Sequence, residues 1–377
     1  MSQSVIEKNL TFDRSKYDAF FDDLEKLAPE IEKTEVLPNS AHVQAALAGC
    51  YGLTVPKKYS GFGLEMAEYL PLLEKAAMGP GIGRMLVHLT NGIWRPLEMF
   101  GTPDQKGLID QIVTGEVVVA FCLTEQTGGT GLDLHSRATL EGETWRISGE
   151  KHWITFADRA THFVLVVKSG DKELTSFLIP RNTPGLEIDS SQYAMGLHGT
   201  GHAFLRYQEM EVPDSCRLGS VGQGLEVALS FLDYSRVSLS NSMVGLAQRA
   251  LDESIKFAKR RKTFGKVIAD RQAIQGHLAM MHADVQAGRY LVQFAAKQYS
   301  AGKNFTIEAA TAKLFCLNMV GRVTDLALRV HGGLGFSKAS VVERIYRDAR
   351  GFWFEEGTAE IQQLVIARGL LDSVEQN

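Results

Sequence analysis

The hydrophobic positions change period twice along the chain. Up to about Glu116 they recur at helical spacing, as at Phe20, Leu24, Leu27 and Ile31, and are broken by Pro56, Gly61, Gly63, Gly79-Pro80-Gly81 and Gly101. This predicts an N-terminal all-helical domain over residues 1–118. From Val117 the texture becomes short β-rich runs, at 117–121, 162–167, 174–179 and 203–207, separated by Gly, Asp and Pro. Short strands at this spacing predict a small β-barrel as a middle domain over residues 119–224. After Gly222-Gln223-Gly224 the helical period returns, with Met243, Leu246, Ala247, Ala250, Leu251, Ile255 and Ala258 stepping by three or four along one face. Residues 225–377 are therefore expected to form a second helical domain. Helices, then strands, then helices make an α+β arrangement with segregated layers, and no alternating βαβ nucleotide-binding sheet is implied.

Composition narrows the classes. The 377 residues are 45% hydrophobic and 22% charged, enough for a sizeable core. A net charge of −4 without a basic block offers no source of phosphate neutralisation, which argues against a nucleic-acid partner. Cys50, Cys122, Cys216 and Cys316 lie far apart and read as reduced, mostly buried thiols. The N-terminal segment carries acidic residues early, without a secretory apolar core or an arginine-rich transit pattern, and no apolar run is long enough for a bilayer. A cytoplasmic protein is expected.

Several segments carry candidate chemistry. Phe352-Trp353-Phe354-Glu355-Glu356-Gly357-Thr358 sets a carboxylate against a glycine turn after an aromatic run, where a buried general base could sit. Leu123-Thr124-Glu125 leads into the loop from Gln126 to Asp133, whose glycines bring bare backbone N–H groups close to a planar ligand. Trp153-Ile154-Thr155 ends an alternating strand, and an indole there either covers a flat cofactor or packs in a core. Arg261 and Phe264, in Arg-Lys-Thr-Phe-Gly, suit a diphosphate and an adenine, or close a helix C-terminus against its dipole. Asp233 and Arg236 are spaced for an i, i+3 pair, or the arginine pairs with the idle carboxylate of Glu355. His198 and His202 are four apart, but the glycines between them break a helix, and no metal site is assigned.

In order and spacing these segments, with Gln272, Arg329 and the run His331-Gly332-Gly333-Leu334-Gly335-Phe336, resemble the acyl-CoA dehydrogenase family of flavoproteins. The resemblance begins with the early turn from Gly52 to Gly61 and covers almost the whole chain. It implies two helical domains around a small β-barrel, the second a four-helix bundle, and FAD as cofactor. It further implies that Glu356 removes the α-proton of an acyl thioester while flavin N5 accepts the β-hydride. Leu123, Thr124, Thr130, Trp153, Ile154, Thr155, Arg261, Phe264, Gln272, Arg329, Gly332, Gly333, Thr358 and Glu360 would bind FAD, and Asp233, Arg236 and Gly357 the substrate. A homotetramer, or a dimer of dimers, and an electron-transfer flavoprotein as acceptor are implied as well.

Three departures stand out. The 126–133 loop is longer than usual and lacks the family's proline and serine, Arg271 and Arg329 replace an aromatic or histidine and a glutamine, and Glu355 stands where an aromatic is usual. A base for so weak a carbon acid is expected to be desolvated with a raised pKa, and two cavity-facing carboxylates would raise each other further, favouring a substrate with an ammonium or hydroxyl group. A thioester on a carrier protein, an oxidase or monooxygenase, and a non-catalytic FAD-binding protein remain open readings of the same fold.

Overall fold

The computed structural model describes residues 12–126, 128, 133–190 and 193–375. Its first part is helical: α1 (Arg14–Thr34), α2 (Asn39–Leu47), α3 (Met66–Ala77), α4 (Gly81–Phe100) and α5 (Pro103–Thr114). Local chemistry sets the ends. The Asp13 carboxylate accepts from the N–H groups of Ser15 and Lys16 to start α1. Thr102 and Gln105 form a reciprocal capping box around Pro103 at the start of α5.

Eight strands follow: β1 (Val119–Cys122), β2 (Arg137–Glu141), β3 (Thr144–Ile154), β4 (His162–Lys168), β5 (Leu174–Pro180), β6 (Leu186–Asp189), β7 (Ala203–Pro213) and β8 (Arg217–Leu218). They pair in the order β6-β7-β3-β2-β4-β5-β8, with β1 added to β4 in parallel. Inward residues from β1 to β7, among them Cys122, Trp145, Phe163, Phe177 and Tyr207, fill a single core, so the sheet wraps on itself as the barrel expectation requires. β2 and β6 were not foreseen. Both are short, β2 largely solvent-facing and β6 half-buried, without an apolar run to mark them.

The last part comprises α6 (Gly224–Leu229), α7 (Leu232–Arg260), α8 (Gln272–Ser300), α9 (Thr306–His331), α10 (Val341–Gly351) and α11 (Ala359–Glu375), with the small hairpin β9 (Lys262–Thr263) and β10 (Lys266–Val267) after α7. The expected face of α7 is inward: Met243, Leu246, Ala247, Ala250, Leu251 and Ala258 are all buried. Helices before and after the barrel share one core, in which Tyr17, Leu24, Leu73 and Leu86 meet Val244, Val285, Val320 and Ile345. Among the described residues no helix is long and apolar enough to cross a membrane.

Two polar joints fix the barrel against the helices. The buried Asp348 carboxylate of α10 accepts the N–H of Gly81 (3.1 Å) and the N–H of Leu197 (2.7 Å) in the loop before β7. Beside it, Glu32 of α1 pairs with His198 of that loop (3.2 Å) and with Arg347 of α10 (2.5 Å).

Burial pushes the Glu32 carboxyl up, but His198 and Arg347 outweigh it and hold it down at about 2. Pairing with Glu32 lifts the His198 imidazole. A depressed carboxyl contributes stability above its ordinary value of 4.5 and loses it as pH falls through the folded value. A raised histidine contributes stability below its ordinary 6.5 and loses it as pH climbs through the folded value. Stabilisation from this cluster is therefore fullest between those two ordinary values. His198→Ala is expected to lower unfolding free energy at pH 6 by about 1 kcal/mol and to flatten the decline above pH 6.5, read from urea midpoints across pH.

Candidate active site

The turn between α10 and α11 carries Glu355, Glu356 and Gly357. Glu356 has φ 53° and Gly357 φ 89°, both in the left-handed region, which costs a non-glycine residue about 1 kcal/mol or more. A clasp offsets this cost. The buried Lys313 ammonium of α9 donates to the carbonyl oxygens of Glu355 and Gly357, and Gln362 of α11 donates to the Gly357 carbonyl at 3.1 Å.

The Glu356 carboxylate is gripped on one side only. Its Oε1 accepts from His88 Nε2 of α4 at 2.8 Å and from the Ser235 hydroxyl in the first turn of α7. An ionised carboxylate only accepts, so the hydrogen of this bond is carried by Nε2. Oε2 is buried, and among the described residues nothing donates to it. Burial pushes the Glu356 carboxyl up, but His88, the Lys313 ammonium and the Ser235 hydroxyl outweigh it and hold the group below the ordinary carboxylate value. The expected raised pKa is thus overturned. The opposing groups come from α4, α7 and α9, and the neighbouring residues in the turn gave no sign of them.

The expected lift of Glu356 by its neighbour is overturned with it, because Glu356 is held down by groups from other helices and Glu355 has a counter-group of its own. Glu355 is held by both terminal nitrogens of Arg84, at 2.6 and 3.0 Å, and the Arg84 guanidinium lies 4.1 Å from the Phe352 ring centre. Arg236 does not take the idle carboxylate. It pairs with Asp233 at 2.6 Å, and Asp233 also accepts from Thr306 at 2.6 Å. A cavity of about 440 Å³ lies against this start of α7, lined by Trp94, Arg95, Asp233, Tyr234, Tyr299 and Phe305.

Sequence reasoning missed Arg84, His88, Ser235, Lys313 and Gln362. A usable signal existed for two of them: Arg84 in Gly-Ile-Gly-Arg-Met-Leu-Val and Lys313 in Ala-Thr-Ala-Lys-Leu-Phe-Cys are lone cations in apolar stretches.

The barrel contributes Trp153. Between the pairs Lys151↔Leu205 and Ile154↔Ala203, β3 holds two residues against one of β7, a bulge in which Trp153 takes φ 55°. The indole is consequently turned out, 51% exposed, with the His202 ring 5.8 Å away. Leu197, five residues before His202, packs against Gly351 next to Glu355, which puts this edge of the barrel beside the base turn. Behind it, the buried Lys151 ammonium joins Glu125 (2.7 Å) to the Leu123 carbonyl (2.9 Å) and fixes the exit of β1. Ile154 is buried, Thr155 half-buried and Thr124 exposed, and Thr130 lies outside the described residues.

Residues 14–116, 120–210 and 222–371 match the family descriptions "Acyl-CoA dehydrogenase, N-terminal domain", "middle domain" and "C-terminal domain". The chain belongs to the acyl-CoA dehydrogenase family. It is 33% identical to a caffeyl-CoA reductase–Etf complex subunit of Acetobacterium woodii, over 92% of this chain and 93% of the relative. It is 32% identical to the mitochondrial short-chain specific acyl-CoA dehydrogenase of Bos taurus, over 92% of this chain and 86% of the relative. Butyryl-CoA dehydrogenase from Megasphaera elsdenii superposes with a TM-score of 0.88 at 29% identity, covering 97% of this chain and 100% of that one. As a member of the acyl-CoA dehydrogenase family, the protein is an FAD-dependent oxidoreductase acting on CH–CH groups.

The remaining residues singled out for the family's cofactor gather elsewhere. Phe257 of α7 stacks on His331 of α9 at 4.3 Å, so the ends of these helices lie together. That end carries Arg261 and the exposed Gly332 and Gly333, with Phe264 97% exposed at the tip of the β9–β10 hairpin and Gln272 exposed at the head of α8. Arg329 is exposed and paired with Asp325 at 2.8 Å, whereas Thr358 and Glu360 do not join this group and are exposed at the head of α11, directly after the base turn. Eight non-glycine residues with positive φ occur among the described residues, and three of them are Trp153, Phe264 and Glu356. The other five lie at helix ends, in turns and loops and within β7, so positive φ marks these three without being confined to the site.

Arg84→Met would leave Glu355 half-buried and uncompensated. A loss of about 2–3 kcal/mol is expected, below the full value for a buried pair because Glu355 keeps some exposure. Adding Glu355→Met should restore most of it, as measured by chemical denaturation of both variants.

Proposed function

We propose that the protein oxidises an acyl-CoA thioester to its 2-enoyl product, with Glu356 as the acceptor of the α-proton. One observation carries this reading: a buried carboxylate with Oε1 immobilised by His88 and Ser235 and Oε2 left free. A base must be ionised before substrate arrives, and the groups around Glu356 favour that state. The substrate's C–H electron pair at the α-carbon becomes the new double bond as its proton passes to Oε2. With FAD bound, the chemistry supplied is acceptance of the β-hydrogen with its electron pair.

The chain's residues suit that cofactor. Trp153, Ile154 and Thr155 offer an aromatic face and a hydroxyl on a rigid bulge, beside Leu123 and Thr124 at the exit of β1. Arg261, Phe264, Gln272, Arg329, Gly332 and Gly333 offer an exposed guanidinium, an aromatic ring and bare backbone at the opposite end of α7, about 39 Å from Ser235 by helix rise. That separation supports a site completed by a second subunit, and hence at least a dimer, with a tetramer as the assembly the family resemblance implies. The cavity lined by Asp233, whose carboxylate holds Arg236, is the natural path for the carrier arm of the thioester, with Gly357 as the further substrate contact the family resemblance implies. Electron-transfer flavoprotein is the acceptor the reading favours, since one relative is named as part of an Etf complex.

That relative is named a reductase, in which the same two transfers run backwards. An ionised Glu356 favours proton removal over proton supply.

Glu356→Gln is expected to abolish bleaching of the flavin by acyl thioesters under anaerobic conditions, by about 10² to 10⁴ in rate, with FAD content unchanged. Retained bleaching in this variant would remove Glu356 from the mechanism. Lys313→Met deletes a charge that holds Glu356 down, so the acid limb of the kcat/KM profile should move to higher pH. A limb left in place would show that Lys313 serves the turn alone.

A further inference from the structure

The Arg84–Glu355 pair sits beside the base without taking part in proton transfer. Arg84, His88 and Gly92 are spaced by four along one face of α4, so Arg84 extends by one turn the wall that holds Glu356. Space borders the far end of this wall, one turn beyond His88. Gly92 is buried, yet a Cβ there would meet only Phe231, at 4.0 Å. On the barrel side stand Leu197 and His202, the latter next to Trp153.

The pair is asymmetric in what it leaves available. Arg84 is 2% exposed with both terminal nitrogens engaged by Glu355, whereas Glu355 is 20% exposed. Each Glu355 oxygen accepts one bond from Arg84 and retains a second acceptor site. The exposed, unfilled valence of this wall is therefore that of an acceptor. An alkyl group placed against it would strip water from an ion pair and return no hydrogen bond. A carboxylate would have to displace Glu355 from Arg84 and strand it close to Glu356.

Building on the thioester-dehydrogenase reading, we propose that Glu355 determines specificity by accepting a hydrogen bond from a donor group, hydroxyl or ammonium, carried by the acyl chain beyond its β-carbon. Arg84 is the positioning residue: it fixes both Glu355 oxygens and balances their charge.

The test is anaerobic flavin bleaching and steady-state turnover of the FAD-loaded enzyme with butyryl-CoA, 4-hydroxybutyryl-CoA, 4-aminobutyryl-CoA and glutaryl-CoA. One or both donor-bearing substrates should exceed butyryl-CoA by about tenfold or more in kcat/KM, with glutaryl-CoA below it. Glu355→Gln should bring the donor-to-butyryl ratio towards one, chiefly through KM. The double variant Arg84→Met, Glu355→Leu, which removes both charges while keeping volume, should reverse the preference to butyryl-CoA with its flavin spectrum intact. Equal use of butyryl-CoA and the donor substrates by the wild type, a preference for glutaryl-CoA, or a ratio unchanged in the double variant would each overturn this role for Glu355. Those results would leave the dehydrogenase reading standing. Bleaching by none of the four would overturn both.

Discussion

The carboxylate of Asp348, buried in α10, receives the N–H of Gly81 at the head of α4 and the N–H of Leu197 in the loop before β7. Burial raises its pKa, and the donated hydrogen bond from Leu197 acts against that rise. Three chain segments distant in sequence are thereby pinned at one point. From that point the site is laid out by short, stiff paths: Arg84 and His88 lie within two turns along α4, Glu355 and Glu356 follow α10, and His202 stands five residues beyond Leu197. Movement at this joint would separate the base from His88 and the barrel from both.

Adjacent carboxylates so deeply placed would repel one another if left to themselves. The fold resolves this by giving each its own counter-group from a different helix. Arg84 takes Glu355 in a fork that donates one bond to each of its oxygens, and Lys313 lies beneath the turn, where it holds backbone carbonyls and biases Glu356 at the same time. Burial lowers the Lys313 amine to about 8, so this cation is itself marginal near neutrality. The base therefore works inside a compensated cluster, and desolvation acts on it without dominating.

Much of the architecture was legible because it is written in local period. The helical blocks and the strands at 162–167, 174–179 and 203–207 declare themselves through apolar spacing, and the glycine turn after Phe352-Trp353-Phe354 marks the base turn within a few residues. What was hidden depends on partners remote in the chain. His88 and Glu356 are 268 residues apart, and nothing near either says that they meet. The bulge that turns Trp153 outward is a property of two paired strands, and the core shared by helices on either side of the barrel is a property of which faces meet. The raised pKa expected for Glu356 followed soundly from burial but lacked the opposing charges, which lie on α4 and α9.

α7 runs for 29 residues without interruption, with Ser235 near its start and Arg261 directly after its end. Each added or deleted residue in such a rod turns one end by about 100° against the other and changes the span by about 1.5 Å. The helix consequently acts as a ruler with a fixed phase: it sets how far the base-holding hydroxyl stands from the exposed arginine and which way each of them looks. Insertions that the surface loops would absorb are not neutral here, and a change in the length of α7 conserves the relation between its two ends only when it approaches whole turns.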